Sequence, residues 1–161
     1  MKYVMQQRLL SWGNDYKIKN EDGADVYFVD GRAFSIGSKL SFQDMQGQEL
    51  VFIKQVLLSF KTTYEIYRQE QLFAEVKKEF SFFKGKFTVD VPGPNDYAVE
   101  GDFSDYEYQF IRRGKVVAKV SKKFFSWSDT YGISIVDGED DVTILATAVV
   151  IDQVCHSGDK E

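Results

Sequence analysis

A repeated pattern of short alternating segments and glycine turns constrains this sequence more than any other feature. Residues 9–18, 57–66 and 124–133 share two apolar residues, a serine, an aromatic residue, and later a tyrosine and an isoleucine at fixed positions. Weaker copies begin at 33 and 80, so the pattern recurs about every 23 residues. Between copies, apolar residues alternate on both sides of Asp-Gly or Xaa-Gly pairs, as in β-hairpins. The sequence therefore predicts about six hairpins, with each Ser-aromatic segment linking one hairpin to the next.

Six hairpins correspond to twelve strands. The predicted strands are residues 3–8, 15–20, 25–29, 37–43, 49–55, 62–68, 71–78, 84–90, 97–101, 106–112, 115–121 and 130–136. The serine of each repeat suits a tight connection, and the tyrosine ring is predicted to fill the end of a barrel. We assign neither residue a catalytic role.

The last segment breaks the pattern. Acidic residues at 137–141 precede an apolar run at 142–155. The Val, Ile and Thr content favours a strand, but the length and the acidic start favour a helix at about 140–154. Such a helix is apolar all round, with only Thr143 and Thr147 to form hydrogen bonds, and must be buried on every side.

Twelve strands enclose a bore that is close to the width of one helix. We therefore predict a mainly β fold: a closed twelve-stranded antiparallel barrel around a central C-terminal helix. Residues 1–156 form a single domain in this interpretation, and 157–161 form a polar tail.

The sequence resembles the LURP-one-related family of the tubby-like superfamily, in the small form found in Gram-positive bacteria. The residues that carry this resemblance are Phe42-Gln43-Asp44, Phe87-Thr88-Val89-Asp90-Val91-Pro92-Gly93-Pro94, Val99-Glu100-Gly101-Asp102-Phe103, Val120-Ser121-Lys122-Lys123 and Asp140-Asp141 with Val149-Val150-Ile151-Asp152. It covers essentially the whole chain and implies the same barrel around a central helix. The superfamily includes phospholipid scramblases and the tubby domain, which binds phosphoinositide headgroups. No position-by-position match to the basic motif of the tubby headgroup site is present.

Composition excludes several kinds of site. The net charge of −5 argues against nucleic acid as a partner. The chain has one Cys and one His, which excludes disulfide frameworks and multi-Cys zinc sites, and no cofactor motif is present. We find neither a signal peptide nor a transmembrane segment, and we expect a cytoplasmic protein, with peripheral association at the inner membrane face as one prediction.

Basic residues cluster in one stretch of the sequence. Residues 111–128 contain six basic side chains and no acid, and Lys78 occupies the equivalent place in another hairpin. The candidate ligand-binding residues are Lys78, Arg112, Arg113, Lys115, Lys119, Lys122 and Lys123. They could bind anionic lipid headgroups, or they could be ordinary solubilising charges on the outward faces of strands.

Three further motifs have structural explanations. The acidic residues 137–141 could bind calcium but suit helix capping better. Cys155 and His156 could suggest a nucleophile, but a small residue and a cation at a helix end explain them better. Residues 91–96 contain both prolines and are predicted to form a rigid exposed loop.

The sequence leaves three functions open. The first is a non-enzymatic binding or scaffold barrel whose partner is an anionic lipid headgroup or another protein. The second is scramblase-like phospholipid translocation or membrane-associated regulation. The third is a carboxylate-based hydrolase, which the six acids between 90 and 107 permit. A bore filled by its own helix cannot hold a ligand, which favours the first function and a site on the wall or rim.

Overall fold

The computed structural model describes residues 1–7, 15–31, 37–80, 85–123 and 130–156. They form twelve strands and one helix. The elements are β1 (Lys2–Gln7), β2 (Tyr16–Asn20), β3 (Asp25–Gly31), β4 (Lys39–Asp44), β5 (Glu49–Gln55), β6 (Thr63–Arg68), β7 (Gln71–Glu79), β8 (Gly85–Asp90), β9 (Tyr97–Asp102), β10 (Glu107–Arg112), β11 (Lys115–Ser121), β12 (Thr130–Ile135) and α1 (Asp141–His156).

Every strand pairs in antiparallel fashion with its neighbours in sequence, and β1 pairs with β12 to close the barrel. The predicted fold class is confirmed, and the predicted strand bounds differ from the observed ones by two residues or fewer. The helix begins at Asp141, one residue after the predicted start at 140, and ends at His156, two residues after the predicted end at 154. Residues 157–161 lie outside the described residues, so the polar tail stays a prediction.

The hairpin turns explain the regular spacing of the strands. Gly23, Gly47 and Gly114 all have positive φ, which a glycine adopts without steric cost. The Asp44 carboxylate accepts hydrogen bonds from the backbone N–H groups of Gln46 and Gln48, which closes the β4–β5 turn. The connection at 56–62 confirms that a Ser-aromatic segment links two hairpins. The corresponding segments at 9–14 and 124–129 lie outside the described residues.

The helix fills the bore of the barrel. Its residues from Thr143 to Gln153 are all buried, and the strands contribute the side chains around them. The repeat tyrosines Tyr16, Tyr64 and Tyr131 are also buried, as predicted. One expectation is wrong: the threonines are not the only buried polar residues of the helix. Asp152 and Gln153 are each 3% exposed, and Tyr16 on the barrel wall offsets the cost of their burial because its hydroxyl donates to the Asp152 carboxylate and accepts from the Gln153 amide.

Candidate functional site at the two ends of the barrel

An up-and-down barrel places alternate connections at opposite ends. We call the end where α1 begins the helix-N end; its connections are residues 21–24, 45–48, 69–70, 91–96, 113–114 and 136–140. We call the end where α1 finishes the helix-C end; it includes the described connections 37–38, 56–62, 103–106 and 122–123 and the β7 terminus with Phe80. Since the bore is filled, candidate sites must lie at these ends or on the outer wall.

The start of the helix is capped by a carboxylate. The Asp140 Oδ1 atom accepts a hydrogen bond from the Thr143 backbone N–H at 3.2 Å, and its Oδ2 atom accepts one from the Thr143 hydroxyl at 2.8 Å. The Arg68 guanidinium lies 3.0 Å from Asp140 Oδ2. The acidic stretch therefore caps the helix, as the capping interpretation predicted.

Two of the candidate basic residues also pair at the helix-N end. Arg112 forms an ion pair with Glu139 at 2.5 Å. Arg113 donates hydrogen bonds to the Pro94 carbonyl and to Asn95 Oδ1, which joins the β10–β11 turn to the proline-containing loop. Tyr97 donates to Glu139 at 3.3 Å, and burial raises the pKa of Tyr97 to about 12. Arg112 and Arg113 therefore bind groups of this protein itself.

The opposite end of the helix carries a buried carboxylate. Asp152 Oδ2 accepts a hydrogen bond from the Tyr16 hydroxyl at 2.5 Å, and Oδ1 accepts one from the Tyr106 hydroxyl at 2.8 Å. Gln153 Nε2 donates to the Tyr16 oxygen at 2.8 Å. Burial, and then the charge of Asp152, hold the pKa of Tyr16 well above its usual value. Within the described residues, the carboxylate is thus stabilised by neutral hydrogen-bond donors and not by a cation.

The last helical residue closes this cluster. His156 Nε2 donates to the Phe103 carbonyl at 2.9 Å, and its ring stacks on Tyr106 with a centroid distance of 4.2 Å. The Lys122 ammonium lies 4.6 Å from the centroid of the same tyrosine ring. Cys155 is half-buried, and burial raises the pKa of its thiol. A raised pKa opposes formation of a thiolate nucleophile at Cys155, and the His156 ring is occupied by its contacts with Phe103 and Tyr106.

The seven candidate basic residues do not form one patch. Arg112, Arg113 and Lys115 lie at the helix-N end, because β11 begins there, whereas Lys122 and Lys123 follow its other terminus. The seven residues of β11 span about 20 Å at about 3.3 Å per residue. Lys119 lies between the two groups, in a wall groove of about 500 Å³ shared with Glu100 and Glu107. Lys78 joins Lys122 and Lys123 at the helix-C end.

The sequence interpretation missed a set of exposed apolar residues at the helix-C end. Leu57, Leu58 and Phe60 lie in the β5–β6 connection, and Phe80 follows β7. Leu58 is fully exposed, Phe60 is 92% exposed and Phe80 is 75% exposed. The repeat pattern named these positions as connections, but it did not indicate that their side chains face solvent.

The helix α1 is too short to cross a membrane, and no longer apolar helix occurs in the described residues. Within the same residues, no group of three or more His, Cys, Asp and Glu side chains is placed to bind a metal ion.

Comparison with known proteins gives a consistent result. The family model described as LURP-one-related matches residues 1–152. The chain is 34% identical over 161 residues to YxjI of Bacillus subtilis (strain 168), a protein named as uncharacterized, and the match covers 100% of this chain and 98% of YxjI. The crystal structure of an Arabidopsis thaliana protein shares the fold, with a TM-score of 0.71 at 17% identity and coverage of 95% of this chain and 91% of that one. The chain belongs to the LURP-one-related family.

Proposed function

We propose that this protein is a non-enzymatic binding barrel that associates reversibly with anionic membrane surfaces through its helix-C end. The observation that carries this proposal is the unequal distribution of charge between the two ends. At the helix-C end, Lys78, Lys122 and Lys123 are exposed, and none of them forms an ion pair with a described residue. Each basic residue near an anionic bilayer contributes about 1 kcal/mol to binding.

The helix-N end has the opposite charge. All of its connections lie within the described residues, and Arg113 is the only base in them. Their acidic residues are Glu21, Asp22, Glu70, Asp96, Asp137, Glu139 and Asp140. A protein with net charge −5 can therefore approach an anionic surface in one orientation, with the acidic end turned away.

The interior supports binding over catalysis. Among the described residues, every buried side-chain nitrogen or oxygen has a hydrogen-bond partner. The carboxylate of Asp152 is enclosed by Tyr16 and Tyr106, so it is not presented to a substrate. A peripheral location at the inner membrane face is part of the same proposal.

Co-sedimentation with vesicles of phosphatidylcholine, with and without phosphatidylglycerol, tests this function. The double variant Lys78→Glu/Lys123→Glu should bind anionic vesicles at least about thirtyfold more weakly at low salt, because two contributions of about 1 kcal/mol are lost. Lys122 is left intact because its ammonium packs on the Tyr106 ring. Binding of the parent protein should also weaken as salt is raised.

The control is Lys2→Glu/Lys115→Glu, which makes the same change in net charge at exposed positions of the helix-N end. It should retain most of the parent's binding. Equal loss in both variants would show that only net charge matters, and an absence of parental binding to anionic vesicles would overturn the proposal.

A further inference from the structure

The helix-C end presents an apolar surface beside its lysines. We define the apolar tip as Leu57, Leu58, Phe60 and Phe80. The Phe60 and Phe80 rings meet edge to face, with centroids 5.9 Å apart, so two connections contribute to one surface. Contiguous exposed apolar side chains of this size typically mark a contact surface for a membrane or a partner.

The tip is held in a fixed conformation. Leu58 has φ +62°, a backbone region that residues other than glycine and asparagine adopt rarely. The Ser59 hydroxyl donates to the Lys61 carbonyl at 2.6 Å, and the Val56 N–H donates to the Thr63 carbonyl at 2.9 Å. These bonds maintain a strained turn that directs a leucine into solvent, and local strain of this kind concentrates at functional surfaces.

The side chains around the tip favour an anionic occupant. Lys39 lies directly opposite Lys54 in the β4–β5 ladder, and like charges at paired positions repel each other. Lys54 faces Glu65 on its other side, and Lys61 pairs with Glu79, whereas Lys78 forms no ion pair with a described residue. A second copy of this chain would bring the same lysines face to face, so charge complementarity selects an anionic bilayer over self-association.

We infer that the apolar tip inserts into the headgroup and acyl boundary of an anionic bilayer, with the barrel standing end-on. This inference rests on the proposed membrane association and adds a specific depth and orientation to it. Lysines supply a salt-sensitive attraction, and the leucine and phenylalanine side chains supply a salt-resistant one. The bilayer therefore covers the apolar surface that water meets in the free protein.

The first test is the variant Leu58→Asn, because asparagine tolerates the left-handed backbone conformation at this position and should not impair folding. Its binding to phosphatidylglycerol-containing vesicles should fall about tenfold or more, and the difference from the parent should persist at high salt. The matched control is Leu72→Asn, an exposed leucine where β7 begins at the helix-N end. This control should bind like the parent.

The second test reads insertion directly. Because Cys155 is the only cysteine, Cys155→Ala allows a single cysteine to be placed by Leu58→Cys or Leu72→Cys and labelled with the environment-sensitive fluorophore NBD. On anionic vesicles, emission from position 58 should shift to the blue, and emission from position 72 should not change.

The outcomes separate the two proposals. If vesicles bind the labelled protein in a salt-sensitive way while the probe at 58 stays in water, the insertion is wrong and the lysine-based function survives. If the probe shifts without vesicles, and light scattering shows a dimer that Leu58→Asn dissociates, the tip is a self-association surface and the inference is overturned. If the parent binds no vesicles, both proposals fail.

Discussion

At the helix-N end, two arginines pair with the acidic residues that precede the helix, whereas at the helix-C end Lys78, Lys122 and Lys123 are exposed and form no ion pair with a described residue. Asp140 and Glu139 meet Arg68 and Arg112 at the start of the helix. At the other end, Asp152 accepts its hydrogen bonds from the hydroxyls of Tyr16 and Tyr106, and no cation among the described residues pairs with it. The comparison shows that one filled barrel can pair arginines with carboxylates at one end and can leave lysines exposed to an external anion at the other.

The two ends differ in their apolar side chains as well. Val91 begins the proline-containing loop and Tyr97 follows it, and both side chains are buried at the helix-N end. Leu58 and Phe60 occupy a connection at the helix-C end and face solvent. Since both ends are built from the same hairpin repeat, the difference arises from the residues of the connections and not from the fold.

The largest expected effect comes from the helix on which both ends depend. Val149 is 0% exposed in the middle of α1. Val149→Asp would place an unpaired carboxylate in the apolar bore, at a cost of several kcal/mol, comparable with the total stability of about 5–15 kcal/mol. We expect no soluble protein with a cooperative thermal transition, as measured by circular dichroism.

The control Val136→Asp makes the same change at a 54% exposed position next to β12 and should melt within a few degrees of the parent. A cooperative transition of Val149→Asp near that of the parent would contradict the placement of this helix inside the barrel.

The second prediction compares one tyrosine at each end. Tyr16→Phe removes a buried donor to Asp152 and the hydrogen bond that Gln153 Nε2 donates to the Tyr16 oxygen, so the free energy of unfolding should fall by about 2 kcal/mol. Tyr97→Phe removes only a 3.3 Å hydrogen bond to Glu139, and Glu139 keeps its ion pair with Arg112. The free energy of unfolding should therefore fall by less than about 1 kcal/mol. Urea denaturation of both variants measures the difference. Equal losses would mean that the two ends do not differ in how they satisfy their carboxylates.

Much of the fold followed from the sequence because hairpins are local. Alternating apolar residues and glycine turns specify each strand from its immediate neighbours, and the acidic start specifies where the helix begins. The partners of Asp152 could not be predicted in this way. Tyr16 lies 136 positions away and Tyr106 lies 46 positions away, so both contacts exist only after the barrel closes around the helix.

The candidate site was harder to predict for a geometric reason. Residues 112–123 are close in sequence, but β11 carries the chain from one end of the barrel to the other, so a cluster in sequence becomes two groups in space. Leu57, Leu58 and Phe60 resemble core residues by type. Leu58 adopts a positive φ, and a leucine in the sequence gives no signal of that conformation.

The smallest predicted effect concerns the cap at the helix-N end. Asp140→Ala removes the oxygen atoms that accept hydrogen bonds from Thr143, and loss of an N-cap typically costs about 1 kcal/mol. Asp140→Asn keeps an N-cap side chain of similar quality but loses the charge that faces Arg68, a partly exposed pair that contributes about 0–1 kcal/mol. Thermal or urea unfolding of the two variants therefore separates the cap from the ion pair. Asp137→Ala, at a fully exposed side chain, should change stability by less than about 0.5 kcal/mol. If Asp140→Asn is as destabilising as Asp140→Ala, the ion pair and not the cap stabilises this end, and the helix-N end depends on charge more strongly than its hydrogen bonds indicate.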